Sequence, residues 1–345
     1  MLADLNHDGH VDLIVGGSSS AQVAVMIAQA DGSFAAPMPI TLPGTPRGLA
    51  VADLDGDGNF DIAVPIATPA VAVVLFGNGD GTFQSPVQVT LTGNPTGITS
   101  GDFDHDGRTD LAVGNTQLNA VTFMLSRPAR TFDTSQTLSL TRLPIVLAAA
   151  DFDGDGLDDL AVTAGTDAAV RVLFANSDGS FTSSPALPVG ALPSALAARD
   201  VTGDLLPELV VTNQSGNSIA ILPNAGKRTF APAIEIGLGL DPVAAVGADF
   251  DGDGRYDLAA GGRGVWVATN STSSYAARGD GNGDGRITAA DLVSLTLQLD
   301  RGVGHQVEDV RRRDPSATSG VDANGDGWVD NLDMPPTLRR LFAGL

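Results

Sequence analysis

Asp53-Leu54-Asp55-Gly56-Asp57-Gly58-Asn59-Phe60-Asp61 is an aspartate ladder, with carboxylates at alternate positions and glycines between them. The chain repeats it. Asp4, Asp53, Asp102, Asp151, Asp200 and Asp249 open six such runs at a step of 49 residues. Phe34, Phe83, Phe132, Phe181 and Phe230 keep the same step, as do Pro46, Pro95, Pro144, Pro193 and Pro242. Three residue types in one register define a repeat architecture, and such a period decides the fold before any local reading does.

One repeat reads as four strands. Arg47–Asp53 alternates through Leu49 and Val51, and the ladder is the loop that follows. Ile62–Ala67 and Val71–Phe76 are rich in β-branched residues. Gly77-Asn78-Gly79-Asp80-Gly81 is a hairpin signal, and Phe83–Leu91 is an outer strand whose Pro86 an edge tolerates. Repeated four-stranded units predict an all-β chain, a β-propeller, in which radial repetition leaves only short edges. A solenoid or a row of small domains is the competitor. Forty-nine residues is long for one solenoid coil, and a lone four-stranded sheet cannot bury both faces.

The array spans residues 1–269, with six ladders but five Phe-marked outer strands. Residue 1 falls by register in the middle of a strand. The expectation is therefore an N-terminally truncated propeller with a seventh blade and an export signal upstream. Residues 270–278 form a Ser/Thr linker, and 279–345 change to helical spacing at Ile287, Leu292, Leu295 and Leu299.

The chain is acidic, with a formal net charge of −22 and no cysteine. Residues 1–278 hold 30 acids against 12 bases, and 22 of those acids stand in ladders. The charge is thus concentrated where metal would neutralise it. Nucleic acid is excluded as a partner because the array has no basic patch. No apolar stretch is long enough for a membrane helix. Disulfides and thiol chemistry are excluded with cysteine.

Oxygen ligands at alternate positions, with glycine at the bend, suit calcium. The candidate ligands are Asp53, Asp55, Asp57 and Asp61; Asp102, Asp104, Asp106 and Asp110; Asp151, Asp153, Asp155 and Asp159; and Asp249, Asp251, Asp253 and Asp257. The first loop is a mild variant with Asp4, Asn6, Asp8 and Asp12. The fifth departs, with Thr202, with Leu205 where glycine belongs, and with Glu208, so it is expected to bind poorly. Two further loops have EF-hand spacing, Asp280, Asn282, Asp284 and Asp291, then Asp322, Asn324, Asp326 and Asp333. The count is about five calcium ions in the array and two in the C-terminal segment. Stripped of calcium, each loop would crowd about four carboxylates, so instability is expected. No catalytic residues are assigned. His7 and His105 stand fourth in their ladders, His10 follows one, and no nucleophile elbow or phosphate loop is present.

The repeat resembles the FG-GAP and VCBS families, whose blades recur in the integrin α-subunit propeller and in bacterial surface proteins. The likeness rests on the ladders, on Asp61–Val64, Asp110–Val113 and Asp159–Val162, and on the turns Asn78–Phe83 and Asn176–Phe181. It implies a seven-bladed, calcium-braced propeller used in adhesion or recognition. The tail looks like a type I dockerin, through Asp280–Leu292 and Asp322–Asp333, which implies a cohesin-like partner that would meet Ala289-Ala290 and Asn331-Leu332. The expected function is a non-enzymatic, calcium-binding, extracellular or bacterial cell-surface protein. Its propeller face would take a protein or glycan ligand, and its tail would tether it. A lectin-like protein or a polysaccharide-catabolism component of a cohesin–dockerin assembly is the alternative.

Overall fold

The computed structural model describes residues 1–268 except 18, 165–166, 203, 239–240, 249–255 and 263, together with 305–306 and 328–329. The described residues are strands, turns and loops. Among them there is no helix, hence none long and apolar enough to cross a membrane. The linker and nearly all of residues 279–345, with the acidic loops at Asp280 and Asp322, lie outside the described residues. There the described elements are two short paired strands, His305–Gln306 and Trp328–Val329. The chain falls into two compact units, 1–151 with 155–185, and 152–154 with the chain from Ala186 on.

Six antiparallel sheets follow one another along the chain, each in simple meander order. This is the blade arrangement of a β-propeller. The second sheet shows the plan, with strands Ala50–Ala52, Asp61–Ile66, Val71–Leu75 and Val87–Thr90. Its neighbours repeat that plan, with second strands Asp12–Gly16, Asp110–Asn115, Asp159–Ala164, Glu208–Asn213 and Asp257–Gly261. In the sixth sheet three strands are described, and the place of its outer strand falls outside the described residues.

The two middle strands of the second sheet are buried on both faces, Asp61–Ile66 and Val71–Leu75 without an exposed residue. Alternation explains how. Ile62, Val64, Ile66, Val73 and Leu75 pack against Ile14, Val23 and Val25 of the first sheet. Ala63, Ala72, Val74 and Phe76 point the other way, onto Leu111, Val113 and Met124 of the third. Side chains at odd and even positions therefore feed different inter-sheet layers. Further layers join the third sheet to the fourth and the fifth to the sixth, the last closing on Trp266.

The outer strand is less regular than the sequence predicts. Phe83 bridges Gly77, and pairing resumes only at Val87, so the expected strand Phe83–Leu91 is two pieces. The third sheet makes the reason plain. Leu125 pairs with Asp133 but Ala120 with Ser139, an offset of one residue, which is a β-bulge. Pro86, with no N–H to give, stands in the break of the second sheet. The inner strand Ala50–Ala52 is also shorter than Arg47–Asp53, and Pro46 makes only an isolated bridge to Ile66.

The three markers now have separate jobs. Pro95, Pro144 and Pro193 open inner strands, and inner strands run close together. A Cβ on Gly97 would come within 2.4 Å of the Ile145 carbonyl oxygen, so glycine is required there. Thr96 Oγ1 donates to the carbonyl of Pro144 in the next sheet at 3.0 Å. The phenylalanines sit at the hairpin and reach back to the preceding sheet. Phe181 stacks on Phe123 with ring centroids 5.5 Å apart, and Phe103 closes the cluster at 5.1 Å. Phe123 is 1% exposed. Phe123→Ala should therefore lower the unfolding free energy by about 3–5 kcal/mol, as read by urea denaturation. A loss below about 1 kcal/mol would contradict this packing.

Candidate metal centres

Each acidic loop is built from its own backbone. The first aspartate accepts from the N–H five residues on: Gly9 to Asp4, Gly58 to Asp53, Gly107 to Asp102 and Gly156 to Asp151, at 2.8–2.9 Å. The fifth-position aspartate accepts from the residue two on, as Asn59 N–H gives to Asp57 at 2.9 Å. These are Asx turns stacked in series. They force the sixth position to positive φ, +83° at Gly9, +86° at Gly58, +82° at Gly107 and +86° at Gly156. The fourth position is left-handed too, which His7 and His105 tolerate at +58° and +60°. His7 Nε2 lies 3.0 Å from Asn59 Oδ1 and is a loop contact.

The ninth-position acid behaves differently. Asp12, Asp61, Asp110, Asp159 and Glu208 are 0% exposed and Asp257 is 1%. Asp61 accepts from Leu54 N–H at 2.9 Å and Gly77 N–H at 2.8 Å. Asp12 takes Leu5 and Ala28, and Asp110 takes Phe103 and Ser126. In these three the donors stand seven residues before and sixteen after. This carboxylate therefore pins the loop to the hairpin end of the third strand, a role that sequence reading, which made it only a ligand, had missed. Burial pushes Asp61 and Asp110 up to about 6, against the pull of their backbone donors and with repulsion from Asp55 and Asp57, or Asp104 and Asp106.

Three loops gather ligand atoms within 4.8 Å of one another: Asp53, Asp55 and Asp57; Asp102, Asp104 and Asp110; Asp151, Asp153 and Asp159. Among the described residues the loops of Asp4 and Asp200 form no such group. Asp249, Asp251 and Asp253 lie outside the described residues. The groups fit a hard divalent cation, because Asp104 Oδ1 is buried without a hydrogen-bond partner. A cation held by these carboxylates would supply the missing positive charge.

Arginine already supplies part of it. Arg130 reaches from the third sheet's hairpin to Asp55 and Asp57 of the second, its guanidinium 4.9 Å over the Phe76 ring. Arg228 reaches Asp153 across the same 75 residues. Arg127 Nη1 lies 2.7 Å from Asp104. Sequence reading gave these three no role. The signal was there, since Arg130 and Arg228 occupy the same place two repeats apart. In the first sheet the matching pair is neutral, with Gly81 against Asn6.

The fifth loop keeps the scaffold with one ladder carboxylate fewer, Thr202 standing at the third position. Leu205, 85% exposed, holds φ +72° at the glycine position, and its N–H still gives to Asp200 at 2.9 Å. Glu208 stands at the ninth position, but its longer chain accepts from Val201 N–H at 2.8 Å and Thr202 N–H at 3.2 Å, both within the loop. Burial pushes it up to about 8 from 4.5.

The FG-GAP-like repeat family matches residues 4–64, 66–113, 102–162, 151–211 and 200–260. Among solved structures, BBS1N in complex with ARL6DN aligns with a TM-score of 0.54 at 13% identity, over 77% of this chain and 75% of that one. An Agrocybe aegerita lectin, described by its specific recognition of non-reducing terminal N-acetylglucosamine, aligns at 0.53 and 18% identity, over 84% and 78%. At these identities the likeness is one of fold. A search of curated proteins finds no significant sequence match.

Two outcomes test this geometry. Between about pH 5 and pH 8 only the folded chain keeps the Glu208 proton, so stability falls as pH rises through that window. By urea unfolding, the wild type should lose on the order of a few kcal/mol relative to Glu208→Gln across it, and parallel losses would exclude Glu208. Arg130→Ala frees Asp55 and Asp57, so terbium luminescence should show one site about tenfold tighter. Unchanged binding would separate the arginine from the metal site.

Proposed function

The chain belongs to the FG-GAP-like repeat family, and on that premise we propose that it is a non-catalytic, calcium-braced β-propeller serving as a recognition scaffold. The observation that carries the calcium reading is the buried, partnerless Asp104 Oδ1 inside a three-carboxylate group. Calcium there braces the loop between the first two strands of a blade. The ligand is a protein or a glycan. The fold's relatives favour both, since one stands in complex with a protein and another recognises N-acetylglucosamine. The lectin reading is the second one, and the scarcity of aromatic side chains, 5% of the chain, weighs against it.

Millimolar calcium outside cells suits such sites, so we place the protein outside the cell or on a bacterial surface. The two acidic loops of residues 279–345 would take further calcium and tether the chain to a cohesin-like module.

The experiment is binding of the immobilised full chain to an array of N-acetylglucosamine-terminated glycans and to candidate protein partners, in calcium and in chelator. Saturable binding lost on chelation is expected, with calcium raising the thermal midpoint. Binding and stability both indifferent to chelation would overturn the calcium-braced reading, and release of free sugar would overturn the non-catalytic one.

A further inference from the structure

The repeats serve as their own alignment, and one junction departs from it. Arg171 stands on the third strand of the fourth sheet, Ala169–Ala175. The same place holds Val73, 0% exposed, in the second repeat, Thr122, 7%, in the third, and Ala220, 0%, in the fifth. Arg142 falls where the other repeats have Gly44, Gly93 and Ala191, and Asp167 where they have Pro69, Leu118 and Gly216. These three departures line one cavity of about 410 Å³. Its apolar wall includes Leu138, Leu140, Leu173 and Phe181, which also fringe the core between the third and fourth sheets.

The charges in the cavity are not balanced. Arg142 Nε lies 3.1 Å from Asp167 Oδ2, which spends the one carboxylate. Arg171 is partly buried, and among the described residues its guanidinium has neither ion pair nor hydrogen bond. A guanidinium drawn partly out of water without a partner is costly, and a packed core would place a small uncharged residue there, as the second, third and fifth repeats do with Val73, Thr122 and Ala220. A cavity of this volume with an apolar wall and one converging charge is the form of a small-molecule site.

We propose that this cavity binds a small amphiphilic anion, its acidic group on Arg171 and its apolar body against Leu173 and Phe181. Carboxylate, sulfonate and phosphate groups each form charge-assisted hydrogen bonds with such a cation. The site is independent of the acidic loops and stands whether or not they take a cation.

The test uses the full chain and anilinonaphthalene sulfonate, whose fluorescence rises on leaving water. The control is the neutral phenylnaphthylamine of the same rings. One saturable sulfonate site is expected. Arg171→Val, which restores the second repeat's residue, should weaken it about tenfold or more while leaving the neutral probe's affinity unchanged or higher. Arg171→Lys should retain most of the sulfonate binding, and dodecanoate should displace the probe where dodecanol does not. Thermal melting of each variant confirms that it is folded. Absence of a saturable site, equal sulfonate affinity in Arg171→Val, or parallel loss of both probes would each overturn the proposal.

Discussion

A buried carboxylate that accepts two backbone N–H bonds sets the geometry of the first three blades. Asp61 holds Leu54 on one side and Gly77 on the other, and Asp12 and Asp110 do the same in their own repeats. Neither donor could be buried unsatisfied, because an orphaned amide costs about 1–3 kcal/mol. The acid therefore joins three separate pieces, the loop, the second strand and the hairpin. That is why the nine-residue run, the hairpin phenylalanine and the strand lengths keep one common step. The fifth repeat, which keeps acids at three of its four ladder positions, has Glu208 there, and its longer chain turns to the loop amides of Val201 and Thr202.

The other aspartates are freer to vary because their bonds are local. The first and fifth positions fold the loop onto itself, and Asp200 and Asp204 still do so around Leu205. Loop shape and cation capacity are thus separable in this chain. The expectation that a metal-free loop leaves four crowded carboxylates was too simple. One carboxylate is consumed by backbone donors, and arginine covers part of the charge on the rest. A bound cation would answer the same electrostatic demand as the guanidinium does.

How far the sequence foretold this depends on how local each feature is. The second and third strands could be read directly, since Ile62–Ala67 and Val71–Phe76 are buried on both faces and carry little but apolar residues. The division of Phe83–Leu91 was hidden because a bulge is a matter of register between strands, and Pro86 alone does not reveal it. The pinning acid was visible as a residue but not as a role, for ligand and hydrogen-bond acceptor look alike in sequence. Arg130 and Arg171 escaped notice for another reason. Within a 49-residue repeat each looks like an ordinary exposed base, and only the placement of neighbouring sheets gives one a partner and leaves the other without.

The span between Asp55 and Arg130 has a meaning in time. The two are 75 residues apart, with the aspartate first. A ribosome adding about 5–20 residues per second delivers the arginine roughly 4–15 s after the carboxylate. Once Val87–Thr90 has been made, for about the second half of that interval, the second blade is complete but its loop lacks the guanidinium. The same delay recurs between Asp153 and Arg228. Each blade so linked is finished by its successor, and the order of synthesis becomes part of how the array is assembled.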